Sequence, residues 1–292
     1  MIAAEIAEAL GGARRSGRWW RCRCPVHSSH SATLALRNKR GGHLVVVCHA
    51  GCSRIDILAE LTQRGLTSHD FGIPTEPEIA SAVLDDDGSR RIALARRIWD
   101  RTRSAAGTPV AAYLAGRGIT TPVPTSLRWT AALRRPDGSY GPSMVARVDN
   151  VVGLFIGVHR TWLTRDLSGL WRRSDRASLG PIGGGSVRLG PIHPGIPLVI
   201  AEGIESAVAA SELILCPSWA ALSAGGIERL ALPAEASDII IAIGRDRSGI
   251  GERSARRAAR RWVREGRRVR LLIPDRIGAD PNDLLLEGGR AP

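Results

Sequence analysis

The pattern of hydrophobic and polar positions is clearest in the C-terminal third of the chain. Short apolar runs follow one another there (PLVIA, SWAALS, DIIIAIG and RRVRLLIP), with helical segments after the first and the third. Buried strands that alternate with helices predict a parallel sheet inside a three-layer α/β unit. The clearest helix is predicted over residues 252–265, because Ala255, Ala258 and Trp262 recur on one face and arginines occupy the other.

The same pattern divides the whole chain into regions. An amphipathic helix is predicted from Ser53 to Arg64, a second helix from about 90 to 104, and a hairpin around Asp149-Asn150, where two β-branched runs meet. The predicted regions are 1–67, a module rich in cysteine and histidine; 68–105, a linker and helix; 106–190, a mixed α+β region; and 191–292, the α/β unit.

The first region carries a candidate structural zinc site. Cys24 and His27 are separated by two residues, and Cys48 and Cys52 by three. Zinc takes four such ligands in a tetrahedron, commonly as two close pairs on two turns. The spacing therefore predicts one Zn²⁺ bound by Cys24, His27, Cys48 and Cys52.

Other residues compete for the same ion. Cys22, His30 and His49 lie close enough in sequence to replace a ligand, and the cysteines are alternatively small core residues. Cys216 lies in an apolar run and is expected in the core. A disulfide framework is disfavoured, because the five cysteines are an odd number and four of them crowd between residues 22 and 52.

Three acidic residues follow predicted strands of the α/β unit. Glu202 ends PLVIA, Asp246 follows IIIAIG, and Asp283 lies in DPNDLL. The carboxyl ends of parallel strands are where open α/β sheets place their ligands, and carboxylates are the groups that Mg²⁺ or Mn²⁺ prefers. The alternative is that these acids cap helices without any metal.

The charge of the chain indicates a polyanionic partner. Lys and Arg number 41 against 28 acidic residues, which gives a net charge of +13. Arg256 and Arg260 belong to a run of arginines on the predicted helix, where the alternative is a solvated outer face. Trp19 and Trp20 stand among N-terminal arginines and suit stacking on single strands, or else cover the zinc module.

Several classes are excluded or disfavoured by what the sequence lacks. It contains no P-loop motif, so the chain is not itself a P-loop helicase. No run is apolar enough to span a membrane, and Glu5 and Glu8 stand where a secretory signal would be basic. A cytoplasmic location without membrane partners is therefore expected.

Three C-terminal segments, LVIAEGIESA, IAIGRDRSGIGERSARRAARRW and DPNDLL, resemble the Toprim domain of primases, topoisomerases and related nucleases. CPVH and CHAGC resemble the zinc-binding domain that precedes Toprim in primases. The order of regions resembles short Toprim primase-like proteins of phages, plasmids and integrated elements, most strongly over residues 22–58 and 197–285. The fold class implied is α/β, with an N-terminal zinc-ribbon-like module, a mixed α+β middle and a C-terminal Toprim-like parallel sheet with flanking helices.

The resemblance also implies roles for residues. Glu202 corresponds to the family's catalytic glutamate, and Asp246 to the second acid of its metal-binding Asp-x-Asp loop. The middle region is where primase-like proteins are expected to meet nucleotide phosphates, and its candidates are Arg147, Arg160 and Arg176, with His159 beside them. The implied partners are single-stranded DNA, nucleoside triphosphates and a separate helicase.

One position departs from the family pattern. Gly244 stands where the Asp-x-Asp loop begins with aspartate, and Arg245 and Arg247 flank the remaining acid. A primase that makes short RNA primers with a divalent metal is the leading hypothesis. The alternatives are a catalytically impaired, single-strand-binding replication factor of a mobile element, which Gly244 favours, and a Toprim nuclease.

Overall fold

The protein is described by a computed structural model in which the chain divides into two compact units, Met1–Ile79 and Ala80–Pro292. The structure describes residues 3–17, 19–26, 32–38, 44–48, 52, 54–67, 86–247 and 249–288. The predicted linker residues 68–85 lie outside this part of the chain, so the four-part division of the sequence stays a prediction.

Over its described residues, the first unit is a small antiparallel sheet with two helices. Its strands pair in the order β1-β2-β3-β4. Its elements are α1 (Ala3–Leu10), β1 (Arg14–Ser16), β2 (Trp19–Cys22), β3 (Leu34–Asn38), β4 (Leu44–Cys48) and α2 (Arg54–Gln63). Because side chains alternate between the two faces of a strand, Leu34 and Leu36 both face the core, which also contains Ile6 of α1 and Leu61 of α2. The predicted amphipathic helix is confirmed as α2.

The second unit begins with an antiparallel sheet in the order β5-β6-β7-β8-β9. Its elements are α3 (Asp86–Asp100), β5 (Arg103–Ser104), α4 (Pro109–Ala115), β6 (Leu127–Arg134), β7 (Tyr140–Asp149), β8 (Phe155–Arg165) and β9 (Trp171–Leu179). The hairpin predicted around Asp149-Asn150 is confirmed as β7 and β8. The helix predicted to end near 104 stops at Asp100, because the Thr102 hydroxyl donates to the Trp99 carbonyl (2.6 Å) and β5 then pairs with β6.

The second sheet of this unit is the predicted parallel one. Its strand order is β10-β12-β11-β13-β14, and β10 alone among these strands runs antiparallel to its neighbour. The elements are β10 (Val187–Arg188), β11 (Leu198–Ala201), α5 (Ile204–Ile214), β12 (Ser218–Ala220), α6 (Ala224–Arg229), β13 (Asp238–Ala242), α7 (Ile250–Arg264), β14 (Arg268–Leu272) and α8 (Pro281–Gly288). The four apolar runs of the sequence are thus four of its strands, and the predicted helix 252–265 is α7.

Hydrophobic packing joins the two sheets into one body. Met144 and Leu163 of the antiparallel sheet share a buried cluster with Val199 of β11 and with Ala207 and Val208 of α5. A second cluster, around Trp262 of α7, covers the opposite face of the parallel sheet. Since apolar burial contributes roughly 25 cal/mol per Å², the first cluster holds the parallel sheet against the antiparallel sheet, and the second holds α7 on the other face of the parallel sheet.

Candidate functional site

Two carboxylates meet at the carboxyl edge of the parallel sheet. Glu202 directly follows β11, and Asp246 lies four residues beyond the end of β13. The two strands are parallel neighbours, with Ala201 paired to Ala242. Glu202 and Asp246 therefore emerge side by side, as the sequence predicts.

The first turn of α7 borders both carboxylates. A side chain on Gly251 would place its Cβ 4.0 Å from Glu202 Oε2 and 3.9 Å from Asp246 Oδ2. Both carboxylates are therefore neighbours of the same position in α7. The pKa of Glu202 is raised overall, mainly by burial. Arg176 opposes this shift, and the nearby carboxylate of Asp246 adds to it. Two neighbouring carboxylates are the kind of ligands that a hard divalent cation such as Mg²⁺ or Mn²⁺ prefers.

Asp283, the third acid of the predicted magnesium site, takes part in a helix cap. Its Oδ2 accepts from the Asp280 backbone N–H (2.8 Å), while Asp280 Oδ1 accepts from the backbone N–H groups of Asn282 (2.8 Å) and Asp283 (3.2 Å). This reciprocal arrangement caps the start of α8. Within the described ranges, Asp283 does not join Glu202 and Asp246 in a set of oxygens lying within 4.8 Å of one another. Its role as a magnesium ligand stays a prediction.

Gly244 is packed against the loop that precedes α8. A Cβ at this position would lie 3.2 Å from the Ala279 carbonyl oxygen and 3.3 Å from Asp280 Cβ. The Arg245 backbone N–H donates to the same Ala279 carbonyl (2.9 Å), which holds the two segments together. A side chain at this position, where the Toprim pattern has aspartate, would therefore require the neighbouring loop to shift by a few tenths of an ångström.

The three arginines predicted to meet nucleotide phosphates lie on different faces of the antiparallel sheet. Arg176 pairs with Thr161 and lines a recess with His159 and Glu202. Arg160, next to Thr161 on β8, points to the opposite face, where Nε and Nη2 donate to the Ala177 and Ser178 carbonyls at 3.3 Å. Arg176 therefore lies beside Glu202, whereas the Arg160 guanidinium is hydrogen-bonded to the backbone of the neighbouring strand.

Arg147 also has a local partner. Its Nε donates to Asp149 Oδ1 (2.7 Å) and Oδ2 (2.9 Å) beside the β7–β8 hairpin, and its guanidinium lies 5.7 Å from the ring centre of Phe155. These contacts hold Arg147 on the hairpin.

Three thiols converge in the first unit. The sulfur atoms of Cys24, Cys48 and Cys52 all lie within 4.8 Å of one another. Burial raises the pKa of Cys52, and the neighbouring thiols of Cys24 and Cys48 raise it further. A bound divalent cation would lower the pKa of these thiols, because it stabilises their thiolate forms. The donor set fits zinc. His27, the predicted fourth ligand, lies outside the described residues and stays a prediction.

Cys22 has a different environment. It is fully buried, and it packs in the apolar core of the first unit. Burial raises the pKa of its thiol to about 12. Within the described ranges it is not part of the thiol cluster.

Comparison with known protein families agrees with this geometry. A family model described as the Toprim domain matches residues 197–291, which span β11 to α8 and include Glu202, Gly244 and Asp246. Residues 197–291 form a Toprim domain. A second model, described as a domain of unknown function, matches residues 89–189, the antiparallel part of the same unit.

Several solved primase structures are also similar to the chain. The Aquifex aeolicus primase (zinc-binding and RNA polymerase domains) is 15% identical, with 99% of this chain and 80% of that one covered and a TM-score of 0.43. A DNA primase domain from Pseudomonas aeruginosa is 18% identical, with 68% and 74% covered and a TM-score of 0.39. The E. coli primase catalytic core is 15% identical, with 70% and 75% covered and a TM-score of 0.40.

The assignment of a Toprim domain rests on the family match and on the residues of the site. The sequence identities and TM-scores of these primase structures are too low to support it further. Among curated proteins, none matches the chain. Over the part of the chain that the structure describes, no helix has the length and apolar character to cross a bilayer.

The antiparallel sheet contributes a buried histidine to the edge of the Toprim domain. His159 is 8% exposed, and its Nδ1 lies 2.9 Å from the Ser178 hydroxyl. Burial lowers its pKa to about 4, although Glu205 acts in the opposite direction. His159 is therefore neutral at pH 7 and adds no positive charge to the recess.

Two residues that line this recess, Glu205 and Arg173, and Tyr113, which donates to Glu205, escape prediction from the sequence. Glu205, in the first turn of α5, is buried and accepts from the Tyr113 hydroxyl (2.6 Å). Arg173 Nη1 lies 4.0 Å from Glu205 Oε1. Glu205 is three residues beyond Glu202, so helical spacing offered a signal for it. Arg173 and Tyr113 had no such signal.

The arginines of α7 fall into two groups. Arg256 pairs with Glu252 one turn earlier (2.7 Å), and Arg260 is exposed. Arg261 instead donates through Nη2 to the Leu230 carbonyl (2.5 Å) and is half-buried. The run is thus partly structural, and its exposed members, Arg256 and Arg260 among them, stay candidates for nucleic-acid contact.

Proposed function

We propose that this protein is a primase-like nucleotidyltransferase that binds single-stranded DNA and synthesises short RNA primers from nucleoside triphosphates. The observation that carries the proposal is that Glu202 and Asp246 follow neighbouring parallel strands and both border Gly251 at the edge of the Toprim domain. Arg176 faces the same recess and supplies a positive charge beside Glu202. This arrangement suits a phosphoryl group and the charge that develops on it.

The reaction proposed is attack by a 3′-hydroxyl on the α-phosphorus of a nucleoside triphosphate. A new P–O bond forms, the bond to the β-phosphate oxygen breaks, pyrophosphate leaves, and the proton of the 3′-hydroxyl is released to water. Glu202 and Asp246 would hold Mg²⁺ or Mn²⁺, which supplies charge stabilisation to the phosphoryl oxygens when bound. Arg176 adds a positive charge on the sheet side, and neutral His159 also lines the recess.

The first unit is proposed to grip the template. Trp19 lies under the Arg37 guanidinium, 4.9 Å from the ring centre, on the sheet face opposite the core residues Cys22 and Leu34. An aromatic ring beside cations suits unpaired bases and their phosphates. A separate helicase to open the duplex, and a cytoplasmic setting, complete the proposal.

Primer synthesis on single-stranded DNA tests the proposal. Labelled nucleoside triphosphates are supplied with Mg²⁺ or Mn²⁺, and wild type is compared with Glu202→Gln and with Glu287→Gln, an exposed glutamate of α8 paired only with Arg276 among the described residues. Template-dependent oligomers are expected from wild type and from Glu287→Gln, and loss of about 10²-fold or more is expected in Glu202→Gln. Equal synthesis by wild type and Glu202→Gln would refute the assignment.

A specific observation favours a second candidate. The packing at Gly244 leaves the Toprim domain without its first loop aspartate. The corresponding function is a replication accessory protein that binds single-stranded DNA without synthesis. Salt-sensitive DNA binding with no primer under either metal would favour this function over the enzyme.

A further inference from the structure

The hairpin of β8 and β9 ends in a turn whose apex is a leucine. Residues 166–170 form this turn, the hairpin tip, in which Leu167 is fully exposed and Leu170 is 49% exposed. Single exposed leucines are common on protein surfaces. The meaning of Leu167 therefore depends on how the tip is held and on what lies beside it.

The carboxylate of Asp166 holds the tip in one shape. Its Oδ1 accepts from the backbone N–H groups of Ser168 (2.9 Å) and Leu170 (3.0 Å). Its Oδ2 accepts from Arg172 Nε (2.8 Å). The Ser168 hydroxyl, which also donates to Oδ1, and the Arg172 guanidinium keep the pKa of Asp166 below its usual range, so the carboxylate stays ionised. Leu167 thus stands at the apex of a fixed turn.

One face of the hairpin begins at the recess of the Toprim edge. Arg176 pairs with Thr161, but Arg173 pairs with Leu163, so a β-bulge adds one residue to β9 between the two pairs. Residues three apart in a regular strand point to opposite faces. The bulge instead keeps Arg173 and Arg176 on one face, and both line the recess with Glu202.

The same face continues to the tip. Arg165 pairs with Trp171, which is two residues before Arg173 and so shares its face. The Arg165 guanidinium lies 4.9 Å from the ring centre of Trp171, and Trp171 packs against the buried cluster that joins the two sheets. Thirteen ångströms, roughly, separate Thr161 from Arg165, because they are four residues apart on one strand at about 3.3 Å per residue.

The charge beside the tip favours a polyanionic partner over a protein surface. Residues 165–173 contain three arginines and one aspartate. Arg165, Arg172 and Arg173 are all exposed. Cations of this kind attract a nucleic-acid backbone, and apolar side chains such as leucine can insert between stacked base pairs. Leu167 combines both conditions, since it is an apolar apex between cations.

We propose that the hairpin tip is a wedge that inserts Leu167 between base pairs of the primer–template duplex after it leaves the Glu202 edge. The inference rests on the proposed function, which supplies that duplex. At about 3.4 Å per nucleotide, the distance along β8 from the recess to the tip corresponds to about four nucleotides. Insertion unstacks a base step there and pries the newly paired strands apart.

Fluorescence of 2-aminopurine, which rises when the base is unstacked, measures insertion without synthesis. The full chain is mixed with preformed RNA–DNA hybrids that carry 2-aminopurine at successive template positions, with Mg²⁺ and without nucleoside triphosphates. Wild type is expected to raise the fluorescence about four base pairs from the primer 3′ end. Leu167→Ser is expected to lose this rise. Its Kd for the hybrid, measured by anisotropy, should stay within about threefold of wild type, because the arginines remain.

Matched variants separate the wedge from general effects. Leu167→Phe keeps an apolar apex and should retain the rise. Val152→Ser, in the turn between β7 and β8, changes a side chain that is 72% exposed and should leave the rise unchanged. Asp166 is a positioning residue: Asp166→Ala should weaken the rise although Leu167 remains, and Asp166→Asn, which keeps an acceptor oxygen, should restore it. Thermal unfolding establishes that each variant is folded.

The outcomes distinguish this inference from the function on which it rests. A rise that persists in Leu167→Ser, as expected if the tip docks on a protein instead, would overturn the wedge. So would a rise lost equally in Val152→Ser, or no rise at any position with wild type, even if primers are made. A leucine-dependent rise without any primer synthesis under either metal would refute the proposed enzyme and leave the wedge standing.

Discussion

The packing around Gly244 determines how easily the aspartate of the Toprim pattern can be introduced at this position. Adding the missing carboxylate by Gly244→Asp brings Cβ to 3.2 Å from the Ala279 carbonyl oxygen and 3.3 Å from Asp280 Cβ. Both neighbours include backbone-anchored atoms, and the Arg245–Ala279 hydrogen bond holds the segments in place. The substitution therefore forces the loop before α8 to move.

We expect Gly244→Asp to lower the free energy of unfolding by about 1–3 kcal/mol, the usual cost of overpacking. Urea unfolding followed by circular dichroism measures it. The control is Gly183→Asp, because Gly183 is exposed and a Cβ there has no neighbour within 4 Å. An unchanged unfolding midpoint together with tighter Mg²⁺ binding would contradict the packing argument.

His159 makes the stability of the second unit depend on pH. Its pKa is about 4 in the folded protein, because of burial, against 6.5 when unfolded. Between these values the unfolded state binds more protons, so stability is complete above about pH 6.5 and falls as the pH drops toward 4.

We expect this histidine to account for up to about 3 kcal/mol of that loss, and His159→Gln to flatten the pH dependence over the same window. Chemical denaturation at several pH values from 7 to 4 measures the slopes. His193→Gln, at an exposed position, is the control. Parallel slopes for wild type and His159→Gln would show that the ring is not held neutral.

At the scale of single elements, helix α7 and strand β14 are connected by an arginine that serves the fold. Arg267 donates through Nη1 to the Pro233 (2.8 Å) and Ala236 (2.6 Å) carbonyls and through Nη2 to Leu232 (3.0 Å). Its side chain is only 12% exposed. This guanidinium supplies hydrogen-bond donors to backbone carbonyls of the loop that leads into β13.

Arg267→Ala is therefore expected to cost about 1–3 kcal/mol of unfolding free energy, because three buried carbonyls lose a charged donor. The salt dependence of single-stranded DNA binding should not change. Arg260→Ala, on the exposed side of α7, should instead leave stability unchanged and reduce that salt dependence. Unfolding curves and binding titrations at several salt concentrations measure both. The opposite pattern would place Arg267 in the DNA site.

The elements that could be predicted are those with an apolar signature. β11 and β13 are continuous buried runs, so their place in a parallel sheet, and Glu202 and Asp246 at its edge, follow from the sequence. The bulge in β9 could not be predicted, because WRRSDRASL is mostly exposed and gives no alternation from which to read a register. For that reason the sequence does not predict Arg173 as a neighbour of Arg176.

For the whole molecule, the decisive feature is the division into two units with separate cores. The antiparallel region and the Toprim domain share one hydrophobic cluster, which sequence patterns could not reveal because packing between distant segments leaves no periodicity. Cys22, Leu34 and Leu61 belong to the core of the first unit alone. Loss of metal should therefore affect the first unit and leave the second folded.

Zinc content tests this division and the ligand set together. We expect one zinc per chain in wild type, loss of zinc in Cys48→Ser, and retention in Cys22→Ser, because among the described residues Cys48 belongs to the cluster of three thiols and Cys22 does not. Metal analysis after gel filtration measures the ratio, and Cys216→Ser in the second unit is the control. Since a structural zinc site stabilises the fold around it, Cys48→Ser should also make the first unit sensitive to protease while residues of the Toprim domain stay protected. Zinc retained in Cys48→Ser would show that Cys48 is not a required ligand. Zinc lost in Cys22→Ser would show that Cys22 contributes to the site.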